Sequence, residues 1–150
     1  MRTVSKTVIG VDFGTQSARA VLVNAENGEI IYSCRKEYPY NSTPVPAIDC
    51  AENLPCATDY EMTLYELLRN VIPEEYRKTV AGICVDATSL TMVLLAEDGR
   101  ALSELDGWSE AAHARVKLWK YHRAQEKADE ALNLARNLQE PFLGRTGGSI

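Results

Sequence analysis

Val8-Ile-Gly-Val-Asp-Phe-Gly-Thr-Gln-Ser-Ala-Arg-Ala-Val-Leu-Val23 is the stretch whose reading decides the fold. An apolar run stops at Asp12, crosses Gly14, Thr15, Gln16 and Ser17, and resumes as a second apolar run. Two strands joined by a tight turn give this pattern, but a plain hairpin needs no carboxylate at its tip. Thr7–Phe13 is predicted as a buried strand, because Val8, Ile9 and Val11 run almost continuously instead of alternating with polar residues. Ala18–Val23 is its hairpin partner, and the Asn27-Gly28 turn leads into a third strand, Glu29–Tyr38. The result is an antiparallel meander.

Beyond it, prolines at 39, 44, 46 and 55 mark a long irregular excursion. Thr58-Asp-Tyr-Glu61 has capping-box spacing, and Tyr60, Leu64, Leu67, Leu68 and Val71 recur at helical intervals until Pro73. Val80–Asp86 reads as another strand, and Met92–Ala96 as a further one closed by an Asp98-Gly99 turn. A helix between strands predicts a crossover to a parallel neighbour. Ser103–His113 has no period. Val116–Lys120 alternates like a short strand, while Ala124, Ala128, Ala131, Leu132, Ala135 and Leu138 fit a helix, with Pro141 beyond its end. Gly144, Gly147 and Gly148 give a loop-like finish, which suggests a cut chain more than a natural terminus.

A chain of 150 residues is long enough for one ordinary core, and 45% hydrophobic with 25% charged residues is globular composition. No apolar run approaches a membrane span, and the opening residues lack the apolar segment of a signal peptide. A cytoplasmic protein is expected. Cys34, Cys50, Cys56 and Cys84 are irregularly spaced, and two histidines cannot complete a zinc pattern with them. A net charge of −5 gives no basic footprint for nucleic acid or anionic lipid. Any phosphate handled here must be met by backbone amides or a bound cation.

A weak internal echo points to where that happens. Val11-Asp12, Val21-Leu-Val and Ala25-Glu-Asn-Gly28 are mirrored by Val85-Asp86, Val93-Leu-Leu and Ala96-Glu-Asp-Gly99. If the helix returns the second unit parallel to the first strand, Asp12 and Asp86 lie at the carboxyl ends of neighbouring strands, where open α/β sheets place their ligand crevice. Asp86 could also simply cap its own turn. At the first turn Gly14 lets the backbone come close, successive amides around Thr15–Ser17 form a concave anion site, and Thr15 and Ser17 add hydroxyls. Asp12 is a hard oxygen ligand suited to Mg²⁺. The same residues also fit an ordinary surface β-turn.

Asp-Phe-Gly occurs in protein kinases too, but there it follows a glycine-rich loop, a strand lysine and an H-R-D loop, none of which can precede residue 12. The Walker pattern is absent. Strand–D-F-G-T-x-S-x-R–strand, with Asp12, Gly14, Thr15, Ser17 and Arg19 in place, instead resembles the first phosphate motif of the actin-like ATPase superfamily and, in detail, of the FGGY carbohydrate kinases. Gly82-Ile-Cys-Val-Asp86-Ala-Thr-Ser-Leu-Thr91 and Val116-Lys-Leu-Trp119-Lys120-Tyr-His122-Arg-Ala-Gln125 are similar to segments of L-ribulokinases, as is Arg145-Thr-Gly147-Gly148-Ser-Ile.

The resemblance implies an α/β fold of the actin-like, ribonuclease-H-like type, a mixed sheet of antiparallel meander plus parallel strands packed on helices. It implies transfer of the γ-phosphoryl of ATP, with Mg²⁺, to a ketopentose, most simply L-ribulose, in arabinose catabolism. Asp12 would be the Mg²⁺ carboxylate, and Gly14, Thr15, Gln16, Ser17 and Arg19 would hold the phosphates. Asp86, Ser89, Trp119, Lys120 and His122 would lie on the sugar side. No catalytic residue falls in 1–150: the carboxylate base belongs to later sequence, so residues 1–150 are expected to be the amino-terminal part of such an enzyme, inactive alone and partnered by its own carboxy-terminal lobe. A homodimer stays open. Tyr121 stands where aspartate or histidine is expected, and Ala87 where a larger or hydroxylated residue is expected; both touch the sugar side. The rival reading is a non-catalytic nucleotide-binding or assembly module of the same superfamily.

Overall fold

The computed structural model describes residues 6–39, 55–109, 111–119 and 122–147. The chain divides into two units, Met1–Leu118 and Trp119–Ile150. In the first unit the strands are β1 (Thr7–Phe13), β2 (Ser17–Asn24), β3 (Ile30–Glu37) and β4 (Val80–Ala87), with helix α1 (Ala57–Val71) between β3 and β4. They form one sheet in the order β3-β2-β1-β4. The meander is antiparallel, and β4 runs parallel to β1, as a helical crossover requires.

Burial along β1 alternates, so the expected two-sided strand is corrected to a one-sided one. Thr7, Ile9 and Val11 are buried, whereas Val8 is 37% exposed. The cause is that α1 covers one face only. On that face Ile9 and Val11 meet Ala18, Ala20 and Leu22 of β2, Tyr38 after β3, and Leu67 and Val71 of α1. Two alanines in β2 keep the sheet flat enough for the helix to come close, and each large side chain fully buried there contributes about 1.5–3 kcal/mol. The opposite face carries Val8, Gly10 and Asp12, the i, i+2 set of an alternating strand.

Helix α1 begins earlier than the Thr58 capping box predicts. Asp59, fully buried, accepts the Cys56 backbone N–H at 2.8 Å, so the cap pair is Cys56 and Asp59. Thr58 is already inside the helix and its hydroxyl donates to Glu104 at 3.1 Å. The helix stops at Val71, before Pro73, as expected.

Among the described residues, Met92–Ala96 and the part of 116–120 that is described, 116–119, form no strand, a second correction; they carry single bridges, Met92 with Lys117 and Leu95 with Ala101. The coil around Lys117 is held by local bonds instead. The Lys117 ammonium takes the carbonyls of Ala112 at 2.5 Å and Arg115 at 3.0 Å, and Val116 N–H turns to Pro55 at 3.0 Å. Arg115 reaches the Cys56 sulfur, so this coil is tied under the start of α1. Burial lowers the Lys117 pKa from its ordinary value.

The second unit is helix α2 (Gln125–Asn137) and a short turn of 3-10 helix, Pro141–Gly144. Gln139 has φ of 55°, and Glu140 N–H returns to the Ala135 carbonyl at 3.0 Å, closing the helix end. Its exposed side carries the pairs Gln125–Asp129 at 2.9 Å and Lys127–Glu130 at 2.8 Å. Among the described residues no helix is long and apolar enough to cross a membrane.

Candidate functional site

Asp12 on β1 and Asp86 on β4 are register partners, each one residue short of its strand's end. The parallel crossover therefore brings the two carboxylates side by side at the carboxyl end of the sheet. The same row continues outward, with Arg19 opposite Asp12 and Arg35 opposite Arg19. Directly opposed residues share a face, so the sheet carries a line of two guanidinium groups and two carboxylates from β3 to β4. Arg19 Nη2 donates to Asp12 Oδ2 at 3.0 Å. Both side chains are well exposed, so this pair adds at most about 0.2–1 kcal/mol of stability, and its effect is to aim the carboxylate.

An open hollow of about 430 Å³ lies on this face, lined by Gly10, Val11, Asp12, Arg19, Val21, Cys84 and Asp86. Gly10 forms its floor: a Cβ there would stand 3.2 Å from Val21 Cγ2. Gly10, Val11, Val21 and Cys84 are the lining residues that the motif reading missed. The signal available for two of them was alternation, since Gly10 and Cys84 each precede an aspartate by two positions in a strand.

The turn between β1 and β2 stands at the mouth. Gly14 N–H donates to the Ser17 carbonyl at 3.0 Å, and a Cβ on Gly14 would lie 3.0 Å from that same oxygen. A larger residue would press on this backbone oxygen, and the turn would have to give by a few tenths of an ångström. Arg35 Nε donates to Ser17 Oγ at 2.9 Å. Tyr38, buried, donates its hydroxyl to the Gly14 carbonyl at 2.8 Å and its N–H to the Gln16 carbonyl at 3.3 Å. Behind the turn, Tyr60 of α1 packs between Phe13 and Tyr38, with ring centroids 5.8 Å and 4.9 Å away. Burial, with Asp59 nearby, pushes the Tyr60 phenol up to about 12. Burial first, then Tyr60, Asp12 and Asp59, raises Tyr38 as well, so its hydroxyl stays a donor at neutral pH.

At the end of β4, Asp86 Oδ1 accepts the Ala87 N–H at 2.9 Å, a bond within the strand and not to the turn that follows, and Asp86 also lines the hollow. Thr88 bonds the Phe13 carbonyl through its N–H at 2.9 Å and its hydroxyl at 3.1 Å, tying this turn to the end of β1. Ser89 is exposed next to it, and Leu90 has φ of 60°. Asp12, Gly14, Thr15, Gln16, Ser17, Arg19, Asp86 and Ser89 thus lie at one end of one sheet. Trp119, 56% exposed, and His122, also exposed, belong to the second unit; Lys120 lies outside the described residues.

No family model matches the chain. It is 33% identical over 154 residues to a ribulokinase of Halalkalibacterium halodurans, an alignment that covers 97% of this chain and 27% of that protein. It is 35% identical over 155 residues to a ribulokinase of Mycolicibacterium smegmatis, with the same coverage. The chain therefore spans 27% of the length of these curated relatives. Two solved structures from Lactobacillus acidophilus, a gluconate kinase and a ligand-bound xylulose kinase, superpose with TM-score 0.60 over 89% of this chain and 24% of theirs, at 20% identity. At that identity they establish a shared fold, the actin-like fold of sugar kinases, and the ribulokinase likeness runs over nearly every residue. Over nearly its whole length, then, the chain is similar to the ribulokinases, and it shares the fold of solved sugar kinases of the FGGY type.

Proposed function

We propose that residues 1–150 are the amino-terminal part of a cytoplasmic, ATP-dependent sugar kinase of ribulokinase type, acting on a ketopentose, L-ribulose first among them. The observation that carries this reading is the register pairing of Asp12 with Asp86 beside the glycine turn. The ribulokinase names of the relatives supply the substrate class.

The residues present fit a magnesium nucleotide. Among the described residues no group of three or more acidic, histidine or cysteine side chains gathers as a metal cage. Two neighbouring carboxylates suit a cation that keeps waters and phosphate oxygens as its other ligands. Asp12, aimed by Arg19, would hold it, and the Gly14–Ser17 turn would hold the phosphates. Bound there, MgATP supplies the electrophilic phosphoryl group and the neutralising charge. This chain's own contribution is positioning: the turn fixes the phosphate tail, Gly10 keeps the floor of the hollow clear, and Asp86 and Ser89 serve the acceptor side. The carboxylate that accepts the hydroxyl proton is assigned to sequence after residue 150, in the lobe that faces this one. Tyr121 and Ala87 bear on which sugar is preferred.

The test uses the full-length protein. Coupled ADP release is measured across ketopentoses and polyols, with L-ribulose expected to give the highest kcat/KM. No sugar-dependent turnover with any of them would end the proposal. Asp12→Ala should lower kcat at least about a hundredfold. Its melting temperature should barely move, because the lost ion pair is exposed.

A further inference from the structure

The segment at the end of β3 holds the β1–β2 turn from outside, and nothing in the phosphate motif assigns it a role. Tyr38 takes two alternate carbonyls of the turn, Gly14 through its hydroxyl at 2.8 Å and Gln16 through its N–H at 3.3 Å. A trans peptide sets each N–H opposite the preceding C=O. Anchoring those two carbonyls on Tyr38 therefore turns the amides of Thr15 and Ser17 away from their anchors. A third bond fixes the side chain of the turn. Arg35 Nε donates to Ser17 Oγ at 2.9 Å, so the hydroxyl accepts from the arginine and keeps its own hydrogen to give elsewhere. The ring of Tyr38 is itself held, 4% exposed and against Tyr60.

Resting on the kinase reading above, we propose that Tyr38 is a positioning residue for the nucleotide phosphates, with Arg35 as its partner on Ser17. Neither residue needs to touch the nucleotide. Tyr38 sets the direction of the backbone donors and Arg35 sets the direction of the serine hydroxyl. A preset array of donors binds an anion without first ordering itself, which is where the gain in affinity arises.

The experiment compares full-length wild type, Tyr38→Phe and Arg35→Gln. Readouts are MgADP binding by calorimetry, KM for ATP, KM for sugar, kcat and thermal melting. Tyr38→Phe removes one oxygen from a buried ring and should raise the MgADP Kd and the ATP KM about threefold to tenfold, the loss of one neutral hydrogen bond. The KM for sugar should stay within about twofold. Arg35, 59% exposed, is not needed for packing, so Arg35→Gln should weaken MgADP about twofold to fivefold with unchanged melting. If both variants bind MgADP as wild type does, or if a lower melting temperature is the sole effect of Tyr38→Phe, the proposal is overturned. A wild type that binds MgADP but phosphorylates no sugar, with Tyr38→Phe still weakening MgADP, would defeat the kinase reading while upholding this one. A wild type that binds no nucleotide would defeat both.

Discussion

Gly14 and Gly28 are both turn glycines, and the two are needed for different reasons. Gly28 has φ of +75°, a backbone conformation costly for other residues, and nothing lies within 4 Å of a Cβ placed there. Gly14 has no such φ; its constraint is the Ser17 carbonyl 3.0 Å from a would-be Cβ, a backbone atom that cannot swing aside. Gly28→Ala should therefore cost about 1 kcal/mol of stability and leave nucleotide binding unchanged. Gly14→Ala must open the turn, costing about 1–3 kcal/mol and weakening MgADP at least about tenfold in calorimetry. Equal nucleotide affinity in the two variants would remove the role given to the turn. At this scale the sequence reading reached Asp12, Gly14 and Ser17 because a carboxylate, a glycine and a hydroxyl in a strand turn are chemically odd together. It did not reach Tyr38, which acts on Gly14 across 24 residues of chain and shows no local signature.

Elements were legible wherever a period was reinforced by a partner. β1, β2, β3, β4 and α1 follow their apolar patterns to within a residue or two of the expected ends. Met92–Ala96 had the right composition but only one bridging residue at each of two points, and alternation without a neighbouring strand makes no ladder. The Thr58 cap failed for a related reason: Asp59, one residue on, accepts the N–H of Cys56 and decides the start. Asp59→Ala in the full-length protein should cost about 1–3 kcal/mol, since it removes the cap bond to the half-buried start of the helix. Leu67→Ala, at the centre of the contact between α1 and the sheet, should cost more, about 2–5 kcal/mol. Urea denaturation with matched m-values checks the order; a larger loss for Asp59→Ala would show that the cap, not the packed face, holds α1.

For the molecule as a whole, the outer strand is the exposed part. Ile83 is 53% and Val85 56% exposed on β4, the last strand of the sheet among the described residues. An apolar edge with unpaired backbone groups is a template for another chain. Residues 1–150 produced alone should self-associate with rising concentration in sedimentation velocity, and Ile83→Lys should shift the distribution toward monomer. A wild-type fragment that stays monomeric at high concentration would contradict this.

The crossover also sets an order of events in time. β1, β2 and β3 meet through short turns, whereas Asp86 arrives beside Asp12 only after the chain has closed the long path through α1. Closing a long path is entropically slower than forming adjacent hairpins. Pulse-labelled hydrogen exchange during refolding should protect β1–β3 amides before those of β4, and simultaneous protection would refute that sequence. The turn proposed to grip phosphate is thus shaped before Asp86 reaches Asp12, so a nascent chain would acquire its anion grip before the acceptor side is in place.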